Sequence, residues 1–324
     1  MRALILLLSS VCLLACARHD ALDREEVELP RYAVAEYTDV RFSPPGWPQA
    51  LYADIYRPED GSSLKTSARD GTHPMVLVVH GGGWERRSRE DMTAIARRLA
   101  ARGFVAVNVD YRFAPEYQFP AQLHDVQLAM HWMRDHAAQY GGDSHQISAL
   151  GFSSGAHLVT LLALVAGQGG ELDVEYGGVT TRPVSVVAGG TPTDLRKYPA
   201  GRLVPQFLGG GRDEIPERFA QASPVTHVHP QAPPFFFFHG GSDRLVPVDH
   251  ATDMIDALQE VGVDTEFYLM RGRGHVSSFL MSQHAIHAAA GFMISVATAG
   301  DIDAGTGFND EAMERRQTMS SRLP

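Results

Sequence analysis

The sequence Gly-Phe-Ser-Ser-Gly at positions 151–155 is the strongest chemical motif in the chain. An apolar run, Ile147–Leu150, precedes the motif, and a second apolar run, Ala156–Ala166, follows it. A serine on a tight turn between a strand and a helix, with glycines two residues before and two after, is typical of a nucleophile elbow. The motif therefore predicts Ser153 as a nucleophile. The alternative is a glycine–serine turn with no reactive role.

A serine hydroxyl is a weak nucleophile unless a base takes its proton and a third group orients that base. Two later segments offer these groups in the chain order Ser, Asp, His. Asp243 follows the apolar run Phe235–Phe238, and His275 follows the strand-like run Thr265–Met270 and a Gly-rich turn. We expect Asp243 and His275 to complete the site. Asp249 is the alternative acid, and the alternative roles are a helix-capping carboxylate and a turn histidine.

A glycine-rich segment follows the apolar run Met75–Val79: His80, three glycines and Trp84. Consecutive glycines let backbone amides point into a cavity, where they can stabilise the oxyanion of a tetrahedral intermediate. In hydrolases of this pattern the amide of the residue after the nucleophile, here Ser154, acts with them. A flexible glycine turn is the alternative. A phosphate-binding loop is disfavoured because no Lys-Ser/Thr pair follows the glycines.

Short apolar runs alternate with longer amphipathic stretches along most of the chain. The predicted strands are Val34–Phe42, Ala50–Tyr56, Met75–His80, Val105–Asp110, Ile147–Phe152, Val184–Ala188, Phe235–His239 and Thr265–Met270. The predicted helices are Glu90–Arg102, Pro120–Gln139, Ala156–Ala166, Val248–Val261 and Ser282–Ala297. This alternation predicts an α/β fold with a mostly parallel, eight-stranded sheet and helices on both faces. The segments with chemistry all follow strands, so we expect them to meet at the carboxyl edge of the sheet.

Residues 191–224 interrupt the alternation because they are long, punctuated by glycine and proline, and only weakly periodic. An insertion at the carboxyl edge would form a small cap over the site. We expect one α/β domain over residues 34–298, a loose tail over 299–324, and a buried role for Phe235–Phe238.

The composition excludes some classes of partner. The 324 residues hold 38 acidic and 28 basic side chains, for a formal net charge of -10. A single α/β domain can reach this length. Lys and Arg form no long run, so the electrostatic footprint of a nucleic-acid-binding protein is missing.

The first residues resemble an export signal. Met1 and Arg2 give a positive start, and Ala3–Ala15 is almost purely apolar. At about 1.5 Å per residue this run reaches roughly 20 Å, short of the ~30 Å core of a bilayer. The sequence Leu-Leu-Ala-Cys at 13–16 resembles a bacterial lipobox, so we expect signal cleavage and a lipid anchor on Cys16, followed by a tether over 17–33. Ordinary signal cleavage after Ala17, giving a soluble periplasmic or secreted protein, is the alternative.

Export has two further consequences for the expected protein. Because Cys12 and Cys16 are the only cysteines, either cleavage leaves no internal disulfide. An alanine rather than an aspartate at position 17 resembles lipoproteins of the outer membrane, so we expect an anchor there or on the periplasmic face.

Taken with these motifs, the chain resembles an α/β-hydrolase of the hormone-sensitive-lipase-like esterase group. The resemblance covers roughly Tyr52–Leu280 and includes the segments Asp110–Glu116 and Phe119–Ala121. The sequence Ala-Ser-Pro at 222–224 and the Asp243 segment are similar to the compact bacterial branch of the group, which includes acetyl-xylan and feruloyl esterases.

The resemblance implies a role for each residue of the site. Ser153 would be the nucleophile, His275 the general base and Asp243 its orienting acid. The amides of Gly82, Gly83 and Ser154 would form the oxyanion hole, and Trp84 would border the acyl pocket. Asp110, Arg112 and Asp125 would support the scaffold.

The function that follows is that of a serine carboxylesterase. It would hydrolyse small-molecule esters of short acyl chains through an acyl-enzyme, with no metal or organic cofactor. Little chain precedes the first strand, so the N-terminal helical cap of many members of the group is not expected. The alternatives are an amidase, formamidase or exopeptidase with the same triad, and a non-catalytic binding domain of hydrolase descent.

Overall fold

One nine-stranded sheet forms the centre of the part of the chain that the computed structural model describes, residues 18–20, 29–59, 72–198 and 200–305. Its strands are β1 (Arg18–Asp20), β2 (Val34–Arg41), β3 (Tyr52–Pro58), β4 (His73–Val79), β5 (Val105–Val109), β6 (Gly142–Phe152), β7 (Val186–Gly189), β8 (Phe235–Gly240) and β9 (Thr265–Met270). Their order across the sheet is β1-β9-β8-β7-β6-β4-β5-β3-β2.

The six strands from β4 to β9 are parallel, and antiparallel strands extend the sheet at both sides. On one side β3 pairs antiparallel with β5 and β2 with β3. On the other side β1 pairs antiparallel with β9. All parallel strands therefore end at one edge of the sheet, where the expected chemical segments follow β4, β6, β8 and β9.

Helices cover both faces of the sheet. They are α1 (Thr93–Ala100), α2 (Ala121–His136), α3 (Ser154–Val165), α4 (Glu171–Val174), α5 (Leu203–Leu208), α6 (Pro216–Gln221), α7 (Asp249–Glu260), α8 (His275–Leu280) and α9 (Gln283–Gly305). One apolar core lies under α2, α3 and α7, and a second lies under α1 and α9.

Alternate side chains of the central strands enter the two cores, as expected for strands buried on both faces. In β8, Phe235 and Phe237 belong to one core and Phe236 and Phe238 to the other, and all four are fully buried. The buried role predicted for this run is therefore confirmed. The predicted mostly parallel sheet with helices on both faces is confirmed as well.

The structure differs from the expectation at several element ends. The sheet has nine strands rather than eight because β1 forms within the segment predicted as a tether. The helix α9 continues to Gly305, beyond the domain end predicted at 298. Segment 191–224 contains two short helices, α5 and α6, and α8 begins at His275, where no helix was expected. Cys16 and the export signal lie outside the described residues.

Within the residues that the structure describes, no helix combines the length and the apolar character needed to span a bilayer.

Candidate active site

The turn between β6 and α3 holds Ser153 in an unusual backbone conformation, with φ 55° and ψ -122°. Two glycines make this turn possible because neither has room for a side chain. A Cβ on Gly151 would lie 2.4 Å from the carbonyl carbon of Gly155. A Cβ on Gly155 would lie 2.2 Å from the carbonyl oxygen of Val79 in β4. The close contact of strand, turn and helix thus lifts Ser153 to the carboxyl edge of the sheet.

Ser153, His275 and Asp243 form one hydrogen-bonded row at this edge. The Oγ of Ser153 lies 2.9 Å from Nε2 of His275, and Nδ1 of His275 lies 2.6 Å from Oδ2 of Asp243. A carboxylate accepts, so Nδ1–H of His275 donates to Asp243 and Nε2 is left to accept the proton of Ser153. The structure therefore brings together the three side chains that were predicted from separate parts of the sequence.

The carboxylate of Asp243 is fixed and fully buried. Its Oδ1 accepts hydrogen bonds from the amides of Leu245 and Val246, both at 2.9 Å. Burial alone raises the pKa of Asp243, but the hydrogen bonds from His275 and the amide of Val246 outweigh it and hold the pKa below its ordinary value. The residue is therefore ionised at neutral pH and stabilises a positive charge on His275.

Asp249, the alternative acid, lies outside this row. It begins helix α7 with its side chain 57% exposed, and its Oδ2 lies 3.1 Å from Nζ of Lys197. The choice of Asp243 over Asp249 thus agrees with the geometry.

The glycine loop after β4 is tied to the turn of Ser153 by a row of hydroxyl groups. The amide of Gly83 donates to Oγ of Ser154 over 3.0 Å, Oγ of Ser154 lies 3.2 Å from the hydroxyl of Tyr111, and that hydroxyl donates to the carbonyl of His80 over 3.2 Å. Tyr111 has one proton and gives it to His80, so Ser154 donates to Tyr111. This row joins both ends of the loop to one buried pair of hydroxyls.

The three amides predicted to bind an oxyanion are therefore not equivalent. That of Gly83 is engaged by the side chain of Ser154. Those of Gly82 and Ser154 have no hydrogen-bond partner among the described residues. The amide of Ser154 also lies in the first turn of α3, where the helix dipole favours negative charge. The sequence did not indicate that the hydroxyl of Ser154 would accept a hydrogen bond from the amide of Gly83.

Trp84 is only 4% exposed, and most of its ring is packed in the core although one part lines the cavity. The ring stacks on Phe207 of α5 with centroids 4.4 Å apart, and Nε1–H donates to Nδ1 of His157 over 3.3 Å. The opposite nitrogen of His157 donates to the carbonyl of Ala222 over 2.7 Å. Trp84 thus connects the glycine loop to the segment that was predicted as a cap.

A cavity of about 540 Å³ opens over Ser153. Its inner wall includes the glycine loop and Trp84, and α5 contributes Leu203 and Val204. Leu203 lies directly against Gly83, since its Cδ1 would be 3.1 Å from a Cβ placed there. The outer wall is formed by residues 245–246 and by helix α8.

The charged residues assigned to the scaffold are paired away from Ser153. Arg112 and the buried Asp125 form an ion pair at 2.8 Å, and Asp110 pairs with Arg89. Within the described ranges, no group of three or more His, Cys, Asp or Glu residues could hold a metal ion.

Comparison with known proteins gives the same fold and a family. Residues 54–258, more than half of the chain, match the BD-FAE family model. This range includes Ser153 and Asp243 and ends before His275.

Two curated relatives from Mycobacterium tuberculosis are similar over most of the domain. Esterase LipC is 33% identical over 211 residues, which cover 62% of this chain and 52% of LipC. Esterase LipQ is 30% identical over 251 residues, which cover 76% of this chain and 58% of LipQ. The chain thus spans little more than half the length of these relatives.

Among solved structures, a truncated carbohydrate esterase from gut microbiota has a TM-score of 0.71 at 21% identity, covering 84% of this chain and 100% of that one. At this identity the likeness shows the fold alone. With the match over residues 54–258, it establishes that the chain has the α/β-hydrolase fold and belongs to the BD-FAE family.

Proposed function

We propose that the protein is a serine carboxylesterase that acts on short-chain acyl esters of small molecules. The observation that carries the proposal is the row from Ser153 through His275 to Asp243. The amides of Gly82 and Ser154, to which the described residues give no partner, add to it. The names of LipC and LipQ as esterases support the same class of reaction.

The geometry supports a two-step mechanism. Oγ of Ser153 attacks the carbonyl carbon of the ester while its proton moves to Nε2 of His275. The ionised Asp243 stabilises the resulting imidazolium. The imidazolium then gives the proton to the leaving alcohol, which leaves an acyl group on Ser153. In the second step a water molecule gives a proton to Nε2 of His275 and attacks the acyl carbon. The bond from that carbon to Oγ of Ser153 then breaks, Oγ takes the proton back from His275, and the acid is released.

The oxyanion of each tetrahedral intermediate would be bound by the amides of Gly82 and Ser154. Both would donate at the moment when negative charge develops, so they would favour the transition state over the bound ester. The amide of Gly83 would hold the loop in place through Ser154 rather than act as a free donor.

The acyl group would occupy the inner part of the cavity. Trp84, Leu203 and Val204 make this wall apolar, and the stacking of Trp84 on Phe207 closes it at depth. Because Leu203 brings this wall close to Gly83, the inner part of the cavity leaves room for short acyl groups. Room for a short acyl group also suits the resemblance to the compact branch, in which the acetyl-xylan esterases act on acetyl groups.

Replacement of Ser153 tests the proposal. Ser153→Ala should lower the rate on a short-chain aryl ester by about four decades or more, because the nucleophile is lost. Ser295→Ala is the control, since that hydroxyl donates to the carbonyl of Phe292 in its own helix, α9. Near-normal turnover by Ser153→Ala would refute the assignment. Faster hydrolysis of an anilide than of the matched aryl ester would favour an amidase.

We also propose that the protein is exported and anchored through Cys16, at the outer membrane or on the periplasmic face. The apolar run Ala3–Ala15 and the lipobox-like sequence at 13–16 support this. Cys16→Ser should block lipidation and leave the uncleaved precursor, which metabolic labelling with a fatty-acid analogue would show. Normal cleavage and release of Cys16→Ser would favour the soluble alternative.

A further inference from the structure

The short strand β1 fixes where the N-terminal end of the chain enters the fold. Arg18 is paired with Leu269, His19 with Tyr268 and Asp20 with Phe267. A contact between Nε2 of His19 and Oε2 of Glu266 at 3.0 Å supports this register. Because β1 is antiparallel to β9, the chain enters β1 beside the last residues of β9.

This entry point lies at the carboxyl edge of the sheet, the edge that carries the active site. Leu269 is one residue before the end of β9 and six residues before His275. Cys16 precedes Arg18 by two residues, which can span about 7 Å at most. A lipid on Cys16 would therefore hold this edge of the molecule, rather than the opposite edge, close to the membrane.

The same edge carries a group of exposed apolar side chains, which we call the apolar rim: Leu245, Val276, Leu280 and Met281. Their exposed fractions are 57%, 65%, 74% and 46%. Val276 and Leu280 are four residues apart in α8 and so share one helix face. The rim borders the outer wall of the cavity, and His275 begins the same helix.

Positive charge accompanies the rim although the whole chain is acidic. Arg244 and Arg271 are exposed beside Leu245 and after β9. Arg86 and Arg202 also line the cavity, and both pair with Glu85. Apolar side chains together with exposed arginines match the interface of a bilayer that contains anionic lipids.

We infer that the apolar rim binds an anionic lipid surface, so that the mouth of the active site opens onto the membrane that carries the anchor. The inference rests on the proposed esterase activity and on the proposed anchor at Cys16. It narrows the substrate class to amphiphilic esters held in or on a bilayer. Helix α8 is six residues long, so a membrane at Leu280 lies within about 9 Å of His275 along the helix axis.

A fluorophore placed on the rim tests which face meets the lipid. The full chain with Cys12→Ser and Cys16→Ser has no cysteine, so Val276→Cys in this background can be labelled with nitrobenzoxadiazole alone. Val174→Cys is the matched control, because Val174 is 75% exposed in α4, which follows the far end of α3. Both labelled proteins keep the apolar run Ala3–Ala15, so the comparison between them reports orientation.

With vesicles of phosphatidylcholine and phosphatidylglycerol, we expect emission from position 276 to move to shorter wavelength and to be quenched by doxyl-labelled lipid. Emission from position 174 should not change. The inference is overturned if position 276 gives no shift, if both positions respond alike, or if neither protein binds.

A second measurement separates this inference from the proposed activity. In Val276→Ser/Leu280→Ser, the ratio of the rate on an acetate of a long-chain alcohol in vesicles to the rate on a water-soluble acetate should fall by about tenfold, because two apolar side chains lose their burial. Val174→Ser/Val179→Ser replaces two valines that are 75% and 67% exposed elsewhere and should leave the ratio unchanged. An unchanged ratio in the rim variant would contradict the membrane role alone. Lack of activity on both esters by the unmodified protein would contradict the esterase proposal, while the fluorescence result would still stand.

Discussion

The amide of Gly83 donates to the hydroxyl of Ser154 over 3.0 Å, and this bond joins the glycine loop to the turn that carries Ser153. The hydroxyl of Ser154 is itself held by Tyr111, which donates to the carbonyl of His80 at the start of the loop. The ring of His80 also stacks on that of Tyr111, with centroids 4.4 Å apart. The position of the amides that would bind an oxyanion thus depends on the hydroxyl groups of Ser154 and Tyr111.

Loss of the Tyr111 hydroxyl should loosen the glycine loop. In Tyr111→Phe the carbonyl of His80 and the hydroxyl of Ser154 lose their partner in a buried site, which costs about 1–3 kcal/mol of stability. We expect kcat to fall about tenfold with little change in KM, because the amides are needed most in the transition state. Steady-state kinetics on a short-chain aryl ester measures both constants.

Tyr37→Phe is the control for this change, since Tyr37 is 43% exposed and lies on β2. It should keep the kinetics of the unmodified protein. If Tyr111→Phe changed only KM, or changed neither constant, the hydroxyl row would have no part in positioning the loop.

Neutralising the acid of the row should disable the base without removing it. Asp243→Asn keeps the size of the side chain, but its amide cannot stabilise an imidazolium, and kcat should fall by about three to four decades. Asp249→Asn is the matched control six residues later, where the side chain is exposed and pairs with Lys197. A comparable loss in the two variants would show that the kinetics do not report the Asp243–His275 bond.

The site residues that the sequence identified share one property: each must occupy a fixed place relative to the end of a strand. Ser153 requires glycines on both sides of a turn, Asp243 follows a fully buried strand, and His275 follows a partly buried one. Such constraints leave a local signature. The parallel sheet was predictable for the same reason, since Phe235–Phe238 could be buried only between two layers of helices.

The structural features that could not be predicted from the sequence depend on contacts between distant segments. The pairing of β1 with β9 joins residues about 250 positions apart, and three residues give no periodicity. The sequence did not indicate a role for the hydroxyl of Ser154, because its hydrogen-bond partners Tyr111 and Gly83 belong to two other loops. Trp84 was expected to border the acyl pocket and does line the cavity, but the sequence did not indicate that its ring would stack on Phe207 in the insertion and be mostly buried.

Stability should fall in mild acid because of a buried histidine. Burial lowers the pKa of His157 to about 4, so the fold holds it neutral while an unfolded chain takes up a proton below about pH 6.5. Its contribution to stability is therefore complete above about pH 6.5 and is lost as the pH falls towards 4, by about 3 kcal/mol in all.

The slope of unfolding free energy against pH measures this contribution. Between pH 6.5 and 4, the slope of unfolding free energy against pH should be smaller in His157→Gln, by the equivalent of up to one proton taken up on unfolding. At neutral pH the variant is also less stable, because it loses the hydrogen bonds of His157 to Trp84 and Ala222. Denaturant titrations at several pH values would give these slopes, and equal slopes in His157→Gln and the unmodified protein would contradict the prediction.

A methyl group at Gly155 should disturb the fold and the site together. The added Cβ would lie 2.2 Å from the carbonyl oxygen of Val79 and 2.4 Å from that of His80, and neither backbone atom can move without shifting β4. We expect Gly155→Ala to lower the free energy of unfolding by about 3 kcal/mol and to reduce kcat through displacement of the turn. Gly291→Ala is the control, because a Cβ there meets nothing within 4 Å inside α9. It should raise stability by about 1 kcal/mol, as alanine favours a helix. Denaturant unfolding of the two variants should therefore give changes of opposite sign; a Gly155→Ala protein as stable as the original would mean that β4 and α3 are not packed as closely as the structure places them.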